Sequence, residues 1–431
     1  MQLHTIPEVR GRQPLDVLEY SSQHDPADAI EFIYYLKTAG QIEQVAGRVA
    51  EEETTGRWIG TKPPTDTFRR ARAEVTRLIK YGPGEGIIHV LSPLCNVNFD
   101  EMDPFYQLAM LSVGGPILEF VFYDAVTFID FHLPPKMLKR FKGPRFGVTG
   151  TREFIGLRAD EPIIGTIIKP CCGLTPEEVA EKVYQAALGG CVLLKDDEKM
   201  MNPPYCALEP KVKAVAAALR RAYDQTGKRV IYCPHINARP DRIVDVARRA
   251  IEWGATGIMF NAVLANGPST ITILAEHPDI HVPIYVHSGG RSALSTGPRR
   301  IDDTVCAKQT RLLGGDYFQI GVANQPNVHV ASRDLSLLKK LAHVFREEDL
   351  GGIKATLPIV AGGLGVENLG DNFEAFGLDI GALAGSNVLD HPVGPREGAI
   401  AMYQAYEAWR GRKGLKDYAA THPELAAVLK R

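Results

Sequence analysis

From Ile163 onward, eight short apolar runs recur along the chain, separated by amphipathic helical text. The runs are Ile163–Ile168, Cys191–Leu194, Val230–Cys233, Thr256–Phe260, Val282–Val286, Tyr317–Ile320, Leu357–Val360 and Leu378–Leu383. Helical patterns lie between them, among them Pro176–Leu188, Asp241–Trp253, Asp302–Leu313 and Leu335–Arg346, and Arg396–Trp409 follows the last run. This alternation is the signature of βαβ units and a parallel sheet. The helix after the first run carries its own boundary signals: Thr175 as N-cap, Pro176 at the first helical position, Glu178 to close a capping box, and Gly189-Gly190 as the stop. Eight alternations over roughly 250 residues have the size of a (β/α)8 TIM barrel, whose active site lies at the C-terminal ends of its strands. An open doubly wound sheet is the competing architecture, but eight repeats of one kind favour closure.

Residues 1–140 read differently. Helical text (Pro26–Ala46, Asp66–Tyr81) mixes with strand-like text (Gly86–Leu91, Ile117–Phe122), which predicts an α+β N-terminal domain. Pro134-Pro135 begins the passage to the barrel, which occupies 141–431 and ends in a helical tail beyond the solvated Arg410–Lys416 segment. With 45% apolar and 23% charged residues and a formal charge of -2, the chain is an ordinary soluble α/β protein with no reason to bind nucleic acid or an anionic membrane. Met1–Arg12 has no apolar leader core, and no window forms a transmembrane span. Seven scattered cysteines predict reduced thiols in a cytoplasmic protein, and Cys171-Cys172 lacks the paired spacing of a zinc site.

If the barrel closes, the strand ends collect the chemistry. The first brings Lys169; the second brings Lys195-Asp196-Asp197-Glu198. The third brings His235 and Asn237, the fifth His287-Ser288-Gly289-Gly290-Arg291, and the sixth Gln319 with Gly321. The seventh ends in Ala361-Gly362-Gly363 and the eighth in Gly385-Ser386-Asn387. Crowded carboxylates repel unless a cation sits among them, and hard oxygen ligands of this kind suit Mg²⁺. A lysine there makes sense as a neutral donor, or as a carbamate formed with CO2, which is an oxygen ligand. The competing reading is a solvated acidic turn in which Lys195 pairs with Asp197. Lys195 and Asp197, two apart on extended backbone, share a face. The glycine-rich last two ends suit a phosphate, because bare backbone N–H groups can approach it. Singly, each feature has an ordinary explanation: a surface lysine, a satisfied core histidine, a Gly-Gly turn. Jointly they are what proton abstraction next to a carbonyl of a phosphorylated substrate requires.

At these residues the sequence resembles the RuBisCO large-chain superfamily over nearly its whole length. The matching runs are Gly165-Thr-Ile-Ile-Lys169-Pro170, Gly189-Gly190 through Lys195-Asp-Asp-Glu198, Leu313-Gly-Gly-Asp316 and His391-Pro-Val-Gly394. In the N-terminal region Glu52-Glu-Thr-Thr-Gly-Arg-Trp58 is similar to the family's Glu-Ser-Ser-Thr-Gly-Thr-Trp segment. The resemblance implies an α+β domain followed by a barrel, and a homodimer in which Glu52 and its neighbours complete the partner's site. It also implies Lys195 as a carbamylated Mg²⁺ ligand beside Asp197 and Glu198, Lys169 as the enolising base, and His287 as the histidine that contacts substrate near the metal.

The departures from the family pattern bear on the reaction. Cys171 stands where carboxylases carry a second lysine, and the loop Gly321-Val-Ala-Asn-Gln-Pro326 lacks the lysine that steadies the CO2 adduct. Gln319 and Arg291 each replace a histidine, Ser288 an arginine and Ala361 a serine, and Ser386-Asn387 replace phosphate-cradling glycines. The resemblance is therefore to RuBisCO-like, form IV proteins, and the expectation is an Mg²⁺-dependent enzyme that forms an enediolate without fixing CO2. Arg291 is suited to a carboxylate. That favours decarboxylation, or transcarboxylation with hydrolysis, of a 3-oxo sugar-acid phosphate of the 3-oxo-isoapionate 4-phosphate type, as in apiose catabolism. The alternatives are enolisation or isomerisation of a methylthio-ketose phosphate in methionine salvage, and a non-catalytic regulatory homologue.

Overall fold

The computed structural model describes residues 6–324 and 334–430. The chain divides into two compact units, Met1–Phe141 with Gly290–Gln309, and Lys142–Gly289 with Thr310–Arg431.

In the first unit, strands β1 (Asp16–Glu19), β2 (Ala29–Lys37), β3 (Glu74–Gly82), β4 (Glu85–Pro93) and β5 (Ala125–His132) form a sheet in the order β1-β3-β4-β2-β5. All four of these pairings are antiparallel. Two helical readings of this region give way to strands. Pro26–Ala46 contains β2, followed by a helix at Ile42–Glu52. Phe32–Leu36 are buried without alternation because both faces of β2 are covered, Ile33 and Tyr35 packing with Ile6 and Val9 while Phe32 and Tyr34 pack on Phe128, so the period-2 signal is missing. Asp66–Tyr81 is a short helix, Asp66–Ala71, and then β3. Ile117–Phe122, read as strand-like, begins inside the 3-10 helix Pro116–Leu118 and carries no strand; the ladder starts at Ala125. A division at residue 140 puts Gly290–Gln309 with the barrel, but this segment belongs to the first unit. Its strand Arg299–Ile301 adds to the sheet edge by parallel pairing with β5, and Arg299 donates to the carbonyls of Leu118, Phe120 and Tyr123.

Glu53, directly after the helix Ile42–Glu52, is buried, and burial pushes its carboxyl from 4.5 up to about 8. Between these values the unfolded chain has released a proton that the folded chain keeps, so folded stability falls as pH rises through this window. Glu53→Gln should therefore unfold like the parent below pH ~4.5 and be more stable by about 4 kcal/mol near pH 8. Urea unfolding midpoints at the two pH values test this; a constant difference would exclude a buried, proton-retaining carboxyl.

The second unit is an eight-stranded parallel barrel. Its strands are β6 (Ile163–Ile167), β7 (Leu193–Lys195), β8 (Ile231–Cys233), β9 (Ile258–Asn261) and β10 (Ile284–His287), then, past Arg299–Ile301 (β11), β12 (Tyr317–Gln319), β13 (Leu357–Ala361) and β14 (Gly381–Leu383). The order is β8-β7-β6-β14-β13-β12-β10-β9, and the two ends meet through a parallel bridge between His235 and Met259. All eight strands fall on the eight apolar runs. Inward-facing Ile163, Leu193, Ile231, Met259, Leu357 and Leu383 are fully buried, each contributing on the order of 2 kcal/mol of apolar transfer. Gly165 is obligatory, since a Cβ there would lie 1.8 Å from the Leu193 carbonyl oxygen across the β6–β7 pair.

The helix Gly147–Ile155 packs under the barrel: Val148 and Phe154 touch the core, and Thr151 Oγ1 lies 2.8 Å from Tyr317 Oη. Asp316 fixes this end by accepting from the backbone N–H groups of Phe146, Gly147 and Ile284. The helix Pro176–Leu188 has both halves of its capping box, Glu178 N–H to Thr175 and Thr175 N–H to Glu178. Helices Pro395–Arg410, Leu415–Ala419 and Pro423–Leu429 end the chain. No helix among the described residues is long and apolar enough to cross a membrane.

Candidate active site

The C-terminal end of β7 sets the site. Lys195 is fully buried; its Nζ donates to the Asp196 carbonyl at 3.0 Å, stands 3.9 Å from Glu198 Oε2 and lies 5.5 Å from the centre of the Tyr285 ring. An ammonium offers three donors, and here one acceptor lies at hydrogen-bond distance. Burial lowers the pKa of this amine against the pull of Glu198, Asp197 and Asp196. Asp196 alternates to the opposite face, into the protein: it accepts from Tyr232 Oη at 2.7 Å, from the His235 N–H at 3.1 Å, and from the buried ammonium of Lys211. The negative charge of Asp196 is thereby spoken for, and Asp197 and Glu198 remain for the mouth.

Asp197 meets Lys169, from just beyond β6, at 2.5 Å, and accepts the Lys199 N–H at 3.0 Å. Burial opposes ionisation of Asp197, but Lys169 and the Lys199 N–H outweigh it and hold the carboxyl below its usual range. Lys169 also donates to Cys171 Sγ at 3.2 Å; burial pulls its pKa down, yet Asp197 and Cys171 together raise it. Glu198 lies 3.3 Å from His287 Nε2, and that contact holds its carboxyl well below the usual range. His287 Nδ1 accepts the Gly289 N–H at 3.1 Å, which puts the ring proton on Nε2, facing Glu198. With Nδ1 an acceptor the ring is a neutral donor, and burial lowers the His287 pKa in the same sense.

Around this cluster the third and fourth strand ends are braced by amides. Asn237 Oδ1 is 2.6 Å from His235 Nε2 and accepts the Asn261 N–H at 2.7 Å, while its Nδ2 donates to Asn266 at 2.6 Å. Asn261 in turn donates to the Gly289 carbonyl at 2.9 Å. Both Asn237 and Asn261 thus tie loop to loop. Gln319 lies 3.4 Å from Tyr285 Oη and from the Ala361 carbonyl. Gly321, Gly362 and Gly363 all have positive φ, and the last two are exposed. Gly385 borders Lys169, where a Cβ would lie 3.5 Å from Lys169 Cε, and the exposed Ser386 opens a short helix, Ser386–Leu389, whose Val388 and Leu389 are buried. The Asn387 amide fills the space beside Gly365 and donates to the Leu364 carbonyl at 3.3 Å. Gln325 and Pro326 of the loop after β12 lie outside the described residues.

Two expected site residues belong to the first unit. Glu52 is half-buried as the last residue of its helix. Arg291 is 2% exposed and forms an ion pair with the equally buried Asp303 at 3.1 Å, so any substrate carboxylate would compete with an internal partner. Sequence reasoning passed over Asn261, Tyr232, Tyr285 and Lys211. A polar residue ending the fourth strand was the signal for Asn261. For Lys211 it was a lysine in the buried stripe Leu208, Val212, Val215 of the helix Leu208–Thr226.

The donor set fits a hard divalent cation once Lys195 carries an oxygen ligand. Lys169 and His287 hold the Asp197 and Glu198 carboxyls below their usual ranges, and the Lys195 amine is buried with a lowered pKa.

Comparison with known proteins agrees with this architecture. The family "Ribulose bisphosphate carboxylase large chain, catalytic domain" matches residues 147–431. The ribulose bisphosphate carboxylase of Methanosarcina barkeri is 33% identical over 74% of this chain and 77% of its own length. A ribulose bisphosphate carboxylase-like protein of Allochromatium vinosum is 30% identical over 92% of this chain and 88% of its own. The octameric Rubisco from Pyrococcus horikoshii OT3 superposes with a TM-score of 0.86 at 29% identity, over 94% of each chain. The relatives thus include carboxylases and a carboxylase-like protein alike, and this chain belongs to the ribulose bisphosphate carboxylase large-chain family.

Proposed function

We propose that this protein is a magnesium-dependent enzyme that forms an enolate from a phosphorylated sugar derivative and does not carboxylate it. One observation carries the reading: Lys169 touches both a carboxylate of the candidate metal set, Asp197, and the thiol of Cys171, which stands where the carboxylase pattern has a second lysine. Mg²⁺ held by Asp197, Glu198 and a carbamate on Lys195 would polarise the substrate carbonyl.

The side chains account for the proton. The Asp197 contact keeps Lys169 an ammonium, while burial favours its free amine. A lysine balanced in this way can take a proton next to the carbonyl, or supply one. In the decarboxylating direction the carbon–carbon bond to the carboxylate breaks, CO2 leaves, and its electron pair stays on the substrate as an enolate; the Lys169 ammonium then donates the replacing proton. With Cys171 beside Lys169 where the carboxylase pattern has a second lysine, the reaction we assign is decarboxylation, or transcarboxylation with hydrolysis, of a 3-oxo sugar-acid phosphate. His287, a neutral donor, orients Glu198 and remains available to a substrate oxygen. The glycines at 362, 363 and 385 are proposed to receive the phosphate. The working unit is proposed to be a cytoplasmic homodimer with Glu52 completing the partner's site.

Proton–deuterium exchange at the carbon next to the carbonyl, run across a panel of sugar phosphates with CO2 and Mg²⁺ supplied, tests the class. Exchange lost on chelation is expected, with CO2 released from 3-oxo acid members. Exchange confined to a methylthio-ketose phosphate would replace the decarboxylase assignment with an isomerase, and the absence of both exchange and CO2 release from every member would overturn the enzymatic reading.

A further inference from the structure

We propose that the groove at the N-terminal ends of the third and fourth barrel strands binds a small polyanion with a flat apolar body, of the nucleoside-diphosphate class, at a site remote from the catalytic mouth. The groove has a volume of about 360 Å³, within the range of small-ligand pockets. Leu219, Arg220 and Tyr223 enter from the helix Leu208–Thr226, Phe154 from the helix under the barrel, and Lys228 and Arg229 from the segment leading into β8.

Charge distinguishes this groove from the surrounding surface. Three cations line it and no carboxylate does. Four other exposed arginines of this unit have acidic partners: Arg239 with Asp241, Arg242 with Asp245, Arg248 with Asp279, Arg410 with Asp160. Arg220 and Arg229 have neither an ion pair nor a hydrogen bond among the described residues. The Lys228 ammonium lies 5.9 Å from the Tyr403 ring, a weak partner for a cation. In a chain of formal charge -2, this concentration is not background.

The apolar side supplies the second half of the recognition. Phe154, Leu219 and Tyr223 present aliphatic and aromatic surface beside the guanidinium groups, which suits a base or comparable ring next to phosphates. The floor is rigid: Gly254 has φ +107° and a Cβ there would lie 2.6 Å from Ala216 Cβ. This proposal does not depend on the reaction assigned to the mouth.

Calorimetric titration of the full chain with ADP as probe tests it. Saturable binding is expected, weakened by about tenfold or more in the double variant Arg220→Ala/Arg229→Ala. Both side chains are exposed, so the double variant should keep the parent's unfolding temperature and basal exchange rate. Lys195→Met, altered at the mouth, should bind ADP as the parent does. Inorganic pyrophosphate, which lacks the flat body, should bind about tenfold more weakly than ADP. Absence of saturable ADP binding, equal binding by the double variant, loss of binding in Lys195→Met, or pyrophosphate binding as tight as ADP would each overturn the proposal.

Discussion

Lys195→Met should reduce turnover by roughly three orders of magnitude or more while leaving the unfolding temperature unchanged or higher. The two effects come from the same burial. Lys195 is 0% exposed and holds one hydrogen bond within the site, so an isosteric apolar side chain relieves the cost of a poorly satisfied polar group. Turnover responds oppositely, because under the proposed function this amine, 3.9 Å from Glu198, becomes the third oxygen ligand as a carbamate. Carbamate formation consumes the neutral amine and CO2 and releases a proton. The parent's rate should therefore rise with added bicarbonate and with pH, and the residual rate of Lys195→Met should respond to neither. A variant that keeps the parent's rate and bicarbonate response would remove the carbamate from the mechanism.

The largest stability effect is expected at Lys211. Its ammonium and Asp196 form an ion pair with relative exposures of 0% and 1% beneath the turn that carries Asp197 and Glu198. Lys211→Ala leaves a buried carboxylate with only the Tyr232 hydroxyl and the His235 N–H, and should cost about 3–5 kcal/mol. Removing both charges, in Lys211→Met/Asp196→Asn, should recover most of that loss, because the penalty is the unpaired charge. The recovered double variant should nonetheless bind Mn²⁺ more weakly than the parent in a spin-resonance titration, since Asp196 anchors the turn from below. Stability costs that simply add would show that the two side chains act independently.

Much of the second unit was readable from local pattern. A parallel barrel strand is a short apolar run bounded by helix signals, and Thr175 with Glu178 announces a helix whatever surrounds it. The first unit resisted because β2 is covered on both flanks and faces, so Phe32-Ile33-Tyr34-Tyr35 shows no alternation. Lys169, Lys195, Asp197, Glu198 and His287 could be grouped because strand ends of one barrel converge. Lys211 could not: its partner lies fifteen residues away across a turn, and only the packed helix brings the two together. Arg291 also has a partner that local pattern does not announce. Position after the fifth strand suggested a ligand for substrate, whereas its chain segment folds with the other unit and hands the guanidinium to Asp303.

The borrowed strand Arg299–Ile301 bears on how the protein is made. Val126 pairs with Arg299, about 170 residues later, so the first sheet cannot be finished when its own five strands have left the ribosome. Until then β5 is an open ladder edge, the kind of template on which nascent chains associate wrongly. A fragment ending near Phe141 would carry that unpaired edge permanently. Biogenesis of this two-unit chain is accordingly a problem of timing, in which the first unit to be translated must wait for a segment that follows five strands of the barrel.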